Sequence, residues 1–206
     1  MTRRQGRRQT ALLLHSQAKN HLYESTTITG GVVMLLVLAG LHGAGKSHFS
    51  SYIADEFGWT VCVKRDLLML LHGRVGVDED WVSWYRTLYA SEGPYEVTMR
   101  LLDFVPCNDR LIIDSVHNLA EWKAVRERRP DAILAFVIAP KAVRIIRNGP
   151  EDELLDIQRV SFWHSDDNSC LISESEWCFN GAASTKVQRI EFEAFLDQYA
   201  VPIKVP

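Results

Sequence analysis

The run Gly40-Leu41-His42-Gly43-Ala44-Gly45-Lys46-Ser47 fits G-x-x-x-x-G-K-[ST] at every specified position, and no other feature constrains the chain as strongly. An uncharged apolar stretch, 32–41, leads into it. Helical spacing through Phe49, Ile53 and Phe57 follows it. Glycines at 40, 43 and 45 permit backbone angles closed to other residues, so successive N–H groups can turn inward around a phosphate. The helix starting near Lys46 adds the positive end of its dipole. Lys46 is expected to reach the β and γ phosphates, and the Ser47 hydroxyl to ligate Mg²⁺. The expected nucleotide-contacting set is Gly40, Leu41, His42, Gly43, Ala44, Gly45, Lys46, Ser47 and His48, with ATP and Mg²⁺ as cofactors. A ligand-free Gly-rich turn would not call for Lys-Ser next.

At 206 residues and 47% apolar composition the chain suits one α/β domain with a full core. A net charge of −3 gives no global reason to expect a nucleic-acid partner. The apolar run before the loop is far shorter than the ~20 residues of a membrane span, so no membrane partner is expected. Cys62, Cys107, Cys170 and Cys178 show no C-x-x-C spacing and read as reduced thiols of a cytoplasmic protein. Residues 1–31 set Arg3, Arg4, Arg7, Arg8 and Lys19 against one acid, Glu24, and are expected to be a disordered or loosely attached basic extension. Three readings of it compete: a start chosen too far upstream, with Met34 nearer the true beginning, which we favour; an Arg-rich targeting peptide; or a basic arm.

From 32 to 206 the chain alternates apolar runs with helical patterns, as a parallel sheet covered by helices requires. Strands are expected at 33–39, 59–63, 111–114, 132–139 and 177–179. Helices are expected at 46–57 with Gly58 as the stop, from 66 to 71, at 119–128, 151–163 and 186–199. Trp81, Trp84, Tyr85 and Leu88 share one helix face, read as core packing in preference to a base-stacking platform. Val97, Leu101, Leu102 and Val105 form another such face after Gly93-Pro94. The fold class is therefore three-layer α/β/α with a five-stranded parallel sheet and a short helical lid at about 141–170.

Three sets of charged residues carry a second layer of chemistry. Asp114 closes an apolar strand at the edge where ligands of open α/β sheets bind, which suits a metal carboxylate. Its alternative is a helix cap, a task Ser115 or Asn118 could also fill. Asp66 can accept a proton from an attacking hydroxyl, or cap the helix beginning at Leu67. Arg144, Arg147 and Arg159 fall where a lid is inserted, and are read either as charge-compensating catalytic arginines or as solvated helical side chains.

In this order and spacing the chain resembles the nucleoside monophosphate kinase group of P-loop proteins, and within it adenylate-kinase-related and dephospho-coenzyme-A-kinase-like proteins. The resemblance runs from about 34 to about 196. It rests on the glycine loop, Arg65-Asp66, Ile112-Ile113-Asp114-Ser115-Val116-His117, and Ala139-Pro140 followed by Arg144 and Arg147. Phe179-Asn180-Gly181 resembles the short strand and loop that contact adenine in these kinases, which implies that role for Asn180. Many of them carry Asp-Gly-x-Pro-Arg after the third strand, with the Arg on substrate, whereas this chain reads Asp114-Ser115-Val116-His117-Asn118.

The resemblance implies a kinase moving the ATP γ-phosphoryl to a small anionic, nucleotide-like acceptor, as a monomer or homodimer. Arg65, Arg74 and Arg100 are the candidate acceptor contacts, with plain surface arginines as the alternative. The competing readings are a P-loop ATPase or switch acting on a protein partner, and a non-catalytic nucleotide-binding module. The lack of an N-K-x-D run argues against a GTPase.

Overall fold

The computed structural model describes residues 34–149 and 168–199. The basic extension 1–31, the expected helix 151–163, Arg159 and most of the expected lid lie outside the described residues. Five strands form, each within one residue of its expected ends: β1 Met34–Ala39, β2 Thr60–Val63, β3 Arg110–Asp114, β4 Ile133–Ile138 and β5 Trp177–Asn180. All pair in parallel, in the order β2-β3-β1-β4-β5. The described helices are α1 Lys46–Phe57, α2 Lys64–Val75, α3 Trp81–Leu102, α4 Leu119–Arg128, α5 Lys141–Asn148, α6 Asn168–Glu174 and α7 Thr185–Tyr199.

The period of two along the central strands builds both layers of the core. Leu35, Val37 and Ala39 of β1 face one apolar cluster with Leu67, Leu71, Trp84, Tyr85, Trp122 and Val125. Met34, Leu36 and Leu38 face the other, with Phe49, Ile53, Trp59, Phe179, Phe192 and Phe195. A strand buried on both faces reads as a continuous apolar run, which is why β1 and β4 were legible.

Helix ends follow local chemistry. Gly58 stops α1 in the left-handed region and donates its N–H to the Ala54 carbonyl. Asp80 caps α3 through the amides of Val82 and Ser83, both at 3.2 Å. Gly93, at φ 82° and ψ 161°, breaks α3 where Gly93-Pro94 predicted a separation between two helices. The Trp81 stripe resolves as core: Trp84, Tyr85 and Leu88 are buried, so no stacking face is left. Two boundaries differ from expectation. Helix α2 begins at Lys64, two residues before the expected start, and α6 was not assigned at all, since Leu171 alone among its residues is buried and so gives no periodic signal.

Phe192 is fully buried among Phe49, Phe57, Trp59, Phe179 and Phe195, with ring centroids 4.8–6.3 Å away. Phe192→Ala is expected to cost about 3–5 kcal/mol of unfolding free energy, measured by urea denaturation.

Candidate functional site

The glycine loop leaves β1 at its carboxyl end and enters α1. Gly40, Gly43 and Gly45 take φ values of 141°, 70° and 98°, a region L side chains avoid. Gly40 runs so close to β4 that a Cβ there would overlap the Val137 carbonyl oxygen. On the loop's other flank lies Gly181, just past β5, where a Cβ would overlap the Ala44 carbonyl oxygen, leaving no room for a side chain. The Gly181 N–H donates to Ile138 O at 2.8 Å, which ties this contact to the sheet. Gly45 is the N-cap of α1, so the helix amides begin inside the loop. Lys46 Nζ donates to Gly40 O at 2.7 Å and Leu41 O at 3.0 Å, placing the ammonium against the loop's own backbone. Ser47 and His48 lie exposed on the first turn of α1.

Arg144 and Arg147 project from α5 onto the back of this loop. Arg144 Nη1 donates to His42 O at 3.2 Å. Arg147 donates through Nη1 to Gly43 O at 3.2 Å and through Nη2 to Gly181 O at 2.8 Å. Because N–H and C=O of a trans peptide point in opposite directions, a guanidinium on the His42 carbonyl turns the Gly43 amide away from it. Asn180 accepts the Ala182 N–H on its own Oδ1 at 3.0 Å, and its backbone N–H donates to Glu191 at 3.1 Å, so it shapes the turn that carries Gly181.

Asp114 is buried at the carboxyl end of β3, in register with Leu38 of β1 and Val63 of β2. The Ser50 hydroxyl sits 3.2 Å from Asp114 Oδ2 and 3.2 Å from Ser47 O, linking the carboxylate to the first turn of α1. Asn118, not Asp114, caps α4, accepting the Glu121 N–H at 3.0 Å. Among the described residues no three His, Cys, Asp or Glu side chains converge on a metal-sized position. One carboxylate and one hydroxyl nevertheless fit Mg²⁺, which takes hard oxygen donors and keeps waters and phosphate oxygens for the rest of its shell.

The wall on the β2–β3 side holds residues that the sequence reading did not select. Glu121, fully buried, accepts from Lys64 Nζ at 2.5 Å, from Tyr89 OH at 2.6 Å and from Asn118 Nδ2 at 3.1 Å on Oε1. Its Oε2 accepts the His117 N–H at 2.8 Å. Lys64 is buried as well, and its ammonium stands 5.2 Å from the Tyr89 ring centroid. Burial pulls the Lys64 pKa below its ordinary value against the opposing effect of Glu121. Burial, then the Glu121 charge, pushes the Tyr89 phenol well up, so it stays a donor. The His117 imidazole is held well below its ordinary pKa by burial first and then by Lys64, Lys46 and His42, which keeps it neutral at pH 7. Asn118-x-x-Glu121 is a near relative of the capping box and was the one available sequence signal for Glu121. Lys64 carried none.

The remaining candidates are placed apart. Arg65 and Asp66 lie exposed on the first turn of α2, with Arg65 Nε 3.7 Å from Asp66 Oδ1. Arg74 and Arg100 meet at a different groove of about 360 Å³, together with Leu71, Val75, Asp103 and Phe104. Arg74 is ten residues along α2 from Lys64, about 15 Å at 1.5 Å per residue. Arg100 donates to both Glu92 carboxylate oxygens, at 2.7 and 2.8 Å.

A parallel sheet in this order, with helices on both faces and a glycine loop after its central strand, is the P-loop kinase fold. Solved structures with this fold include three shikimate kinases. The enzyme from Acinetobacter baumannii in complex with shikimate superposes with a TM-score of 0.53 at 11% identity, covering 81% of this chain and 94% of that one. That from Aquifex aeolicus gives 0.51 at 15%, covering 81% and 98%. That from Bacteroides thetaiotaomicron gives 0.55 at 14%, covering 82% and 99%. No family model matches the sequence, and no curated protein matches it. At these identities the likeness is one of fold alone, and it does not single out the dephospho-coenzyme-A branch.

Two substitutions test the site's construction. Gly181→Ala forces a methyl onto the Ala44 carbonyl, and is expected to weaken nucleotide binding at least tenfold in a fluorescent-ATP titration while leaving the circular dichroism spectrum unchanged. Glu121→Ala leaves the buried Lys64 ammonium without its carboxylate, and is expected to cost about 3–5 kcal/mol by denaturant titration.

Proposed function

We propose that this chain is an ATP-dependent phosphotransferase acting on a small acceptor, nucleotide-like in the sense that it presents a hydroxyl or phosphate beside an anionic or polar body. The observation that carries the reading is the loop itself, with three glycines at positive φ, a lysine over its backbone and arginines on its outer carbonyls. Such a cradle has no packing purpose that smaller turns would not serve, whereas a triphosphate needs inward amides and a nearby ammonium.

In this reading the loop amides and the α1 dipole bind the β and γ phosphates, and Lys46 exchanges its carbonyl partners for phosphate oxygens. Ser47 and Asp114 would hold Mg²⁺, which supplies neutralising charge to the phosphates when bound. Arg144 and Arg147 keep the loop's carbonyls turned outward. The Asn180–Gly181 turn borders the space beyond Ala44, the side assigned to the adenine. Four cysteines without C-x-x-C spacing, none of them paired in the fold, suit a cytoplasmic setting, which we include in the proposal. Among the described residues no helix is long and apolar enough to cross a membrane.

The test is titration of the protein with fluorescent ATP and Mg²⁺, followed by ADP release measured with candidate acceptors. Saturable binding is expected in the wild type. Lys46→Ala is expected to lower turnover by on the order of 10²-fold or more, as removal of a group aimed at developing charge does. A folded wild type that gives no saturable signal overturns the proposal, and so does an undiminished Lys46→Ala variant.

A further inference from the structure

We infer that Ser50 is a positioning residue for the metal carboxylate: its hydroxyl holds one oxygen of Asp114, leaves the other for a cation, and so makes the site favour Mg²⁺ and Mn²⁺ over Ca²⁺. This rests on the reading above, in which Ser47 and Asp114 hold the metal, and adds which metal the site accepts and why.

The residue that calls for a cation is Asp114. It is buried at the carboxyl end of β3, and among the described residues no lysine, arginine or histidine forms an ion pair with it. A buried carboxylate is costly unless it is paired or coordinates a metal. Its one donor among the described residues is the Ser50 hydroxyl, 3.2 Å from Oδ2. One carboxylate oxygen is thus held, and Oδ1 accepts from none of those residues.

The placement of Ser50 follows from the helix it sits on. Asp114 is in register with Leu38 of β1, two residues before the glycine loop begins, and α1 leaves that loop carrying Ser47 and Ser50. Residues three apart share a helix face, so the candidate metal hydroxyl and the hydroxyl on Asp114 lie on the same side of α1. Ser50 Oγ is also 3.2 Å from Ser47 O, which ties it to the backbone of the metal-binding turn. A hydroxyl has one proton to give, and the charged carboxylate is a stronger acceptor than the neutral carbonyl. Ser50 is itself buried, so it serves Asp114 and not the ligand.

The two common cations ask different things of a carboxylate. Mg²⁺ has a small, strict octahedral shell that keeps several waters and phosphate oxygens, and a single carboxylate oxygen suits it. Ca²⁺ is larger and takes about 6–8 oxygens, for which both oxygens of one carboxylate are a common source. A hydroxyl fixed on Oδ2 withholds the second oxygen, and removing that hydroxyl releases it.

The experiment measures fluorescent-ATP binding with Mg²⁺, with Mn²⁺, with Ca²⁺ and without metal in EDTA. It compares wild type, Ser50→Ala, Ser50→Thr, Asp114→Asn and the double variant of Ser50→Ala with Asp114→Asn, with the thermal midpoint of each. The wild type is expected to bind Mg²⁺·ATP and Mn²⁺·ATP more tightly than Ca²⁺·ATP. Ser50→Ala is expected to lower that preference about tenfold, the usual effect of removing a group that orients a metal ligand, with metal-free binding unchanged within about twofold. Ser50→Thr keeps the hydroxyl and is expected to keep the preference. On top of Asp114→Asn, Ser50→Ala is expected to change nothing further, because the hydroxyl acts through the carboxylate. An unchanged preference in Ser50→Ala overturns the proposal. So does an equal loss with and without metal, a Ser50→Thr that behaves like Ser50→Ala, or a full further loss in the double variant. Ser50→Cys, close in volume and a weak donor, replaces Ser50→Ala if the latter does not fold, and two unfolded variants overturn the proposal in favour of a hydroxyl that serves packing alone. A wild type that binds no ATP sinks the nucleotide reading, and one that binds it equally well without metal sinks the metal reading. Both results appear before any variant is compared, which keeps the failures distinct.

Discussion

Everything at this site depends on backbone meeting backbone at distances that exclude side chains. Gly40 lies against the Val137 carbonyl and Gly181 against the Ala44 carbonyl, so β4 and the turn after β5 grip the glycine loop from two directions. Neither contact has a side chain in it, so neither can be adjusted by a rotamer change. The loop's shape is therefore set by the register of β1 with β4 and of β4 with β5. The two apolar clusters that fix that register stabilise the glycine loop as directly as any residue within it.

The arginines of α5 show how such a backbone is finished. A loop whose amides converge inward has carbonyls that diverge outward, and those carbonyls need donors. Arg144 and Arg147 supply them at His42, Gly43 and Gly181, at 2.8–3.2 Å. From the sequence these side chains were read as lid groups that meet the transferring phosphoryl directly, or as solvated surface. In the structure they reach the cradle through its peptide planes. A planar fork with five fixed donors suits that task in a way a lysine would not.

What the sequence made legible follows from the same distinction. The strands showed themselves because burial on both faces leaves an uninterrupted apolar signature, and the loop because its glycines and Lys-Ser pair are fixed in local spacing. Gly58 and Asn118 were legible as helix punctuation. Lys64 and Glu121 were not, since they are 57 residues apart and meet only when β2 and β3 pair. A buried ion pair leaves no periodic trace: each member looks like an ordinary surface residue until the topology brings it inside. Arg74 and Arg100 illustrate the converse. Their charge suggested an anion contact, and α2 and α3 bring Arg74 and Arg100 together at a groove of their own.

The two walls of the site are thus made of different material. On the β4–β5 side the loop is held by main-chain contacts at Gly40 and Gly181 and by the Arg144 and Arg147 guanidinium groups on its carbonyls. On the β2–β3 side the contacts are side-chain, and their order is rigid: one carboxylate, Glu121, accepts an ammonium, a phenol, an amide and the backbone of His117 at once. Burying that pair costs desolvation which its geometry must offset with four hydrogen bonds, and apolar residues of equal volume would fill the same space more cheaply. A chain that keeps the charged arrangement gains a fixed orientation for the segment 114–118, the only stretch that carries both Asp114 and His117 to the mouth of the loop. The segment 114–118 and the buried carboxylate behind it are therefore the part of this region ordered by side chains, while the glycine loop is ordered by its backbone.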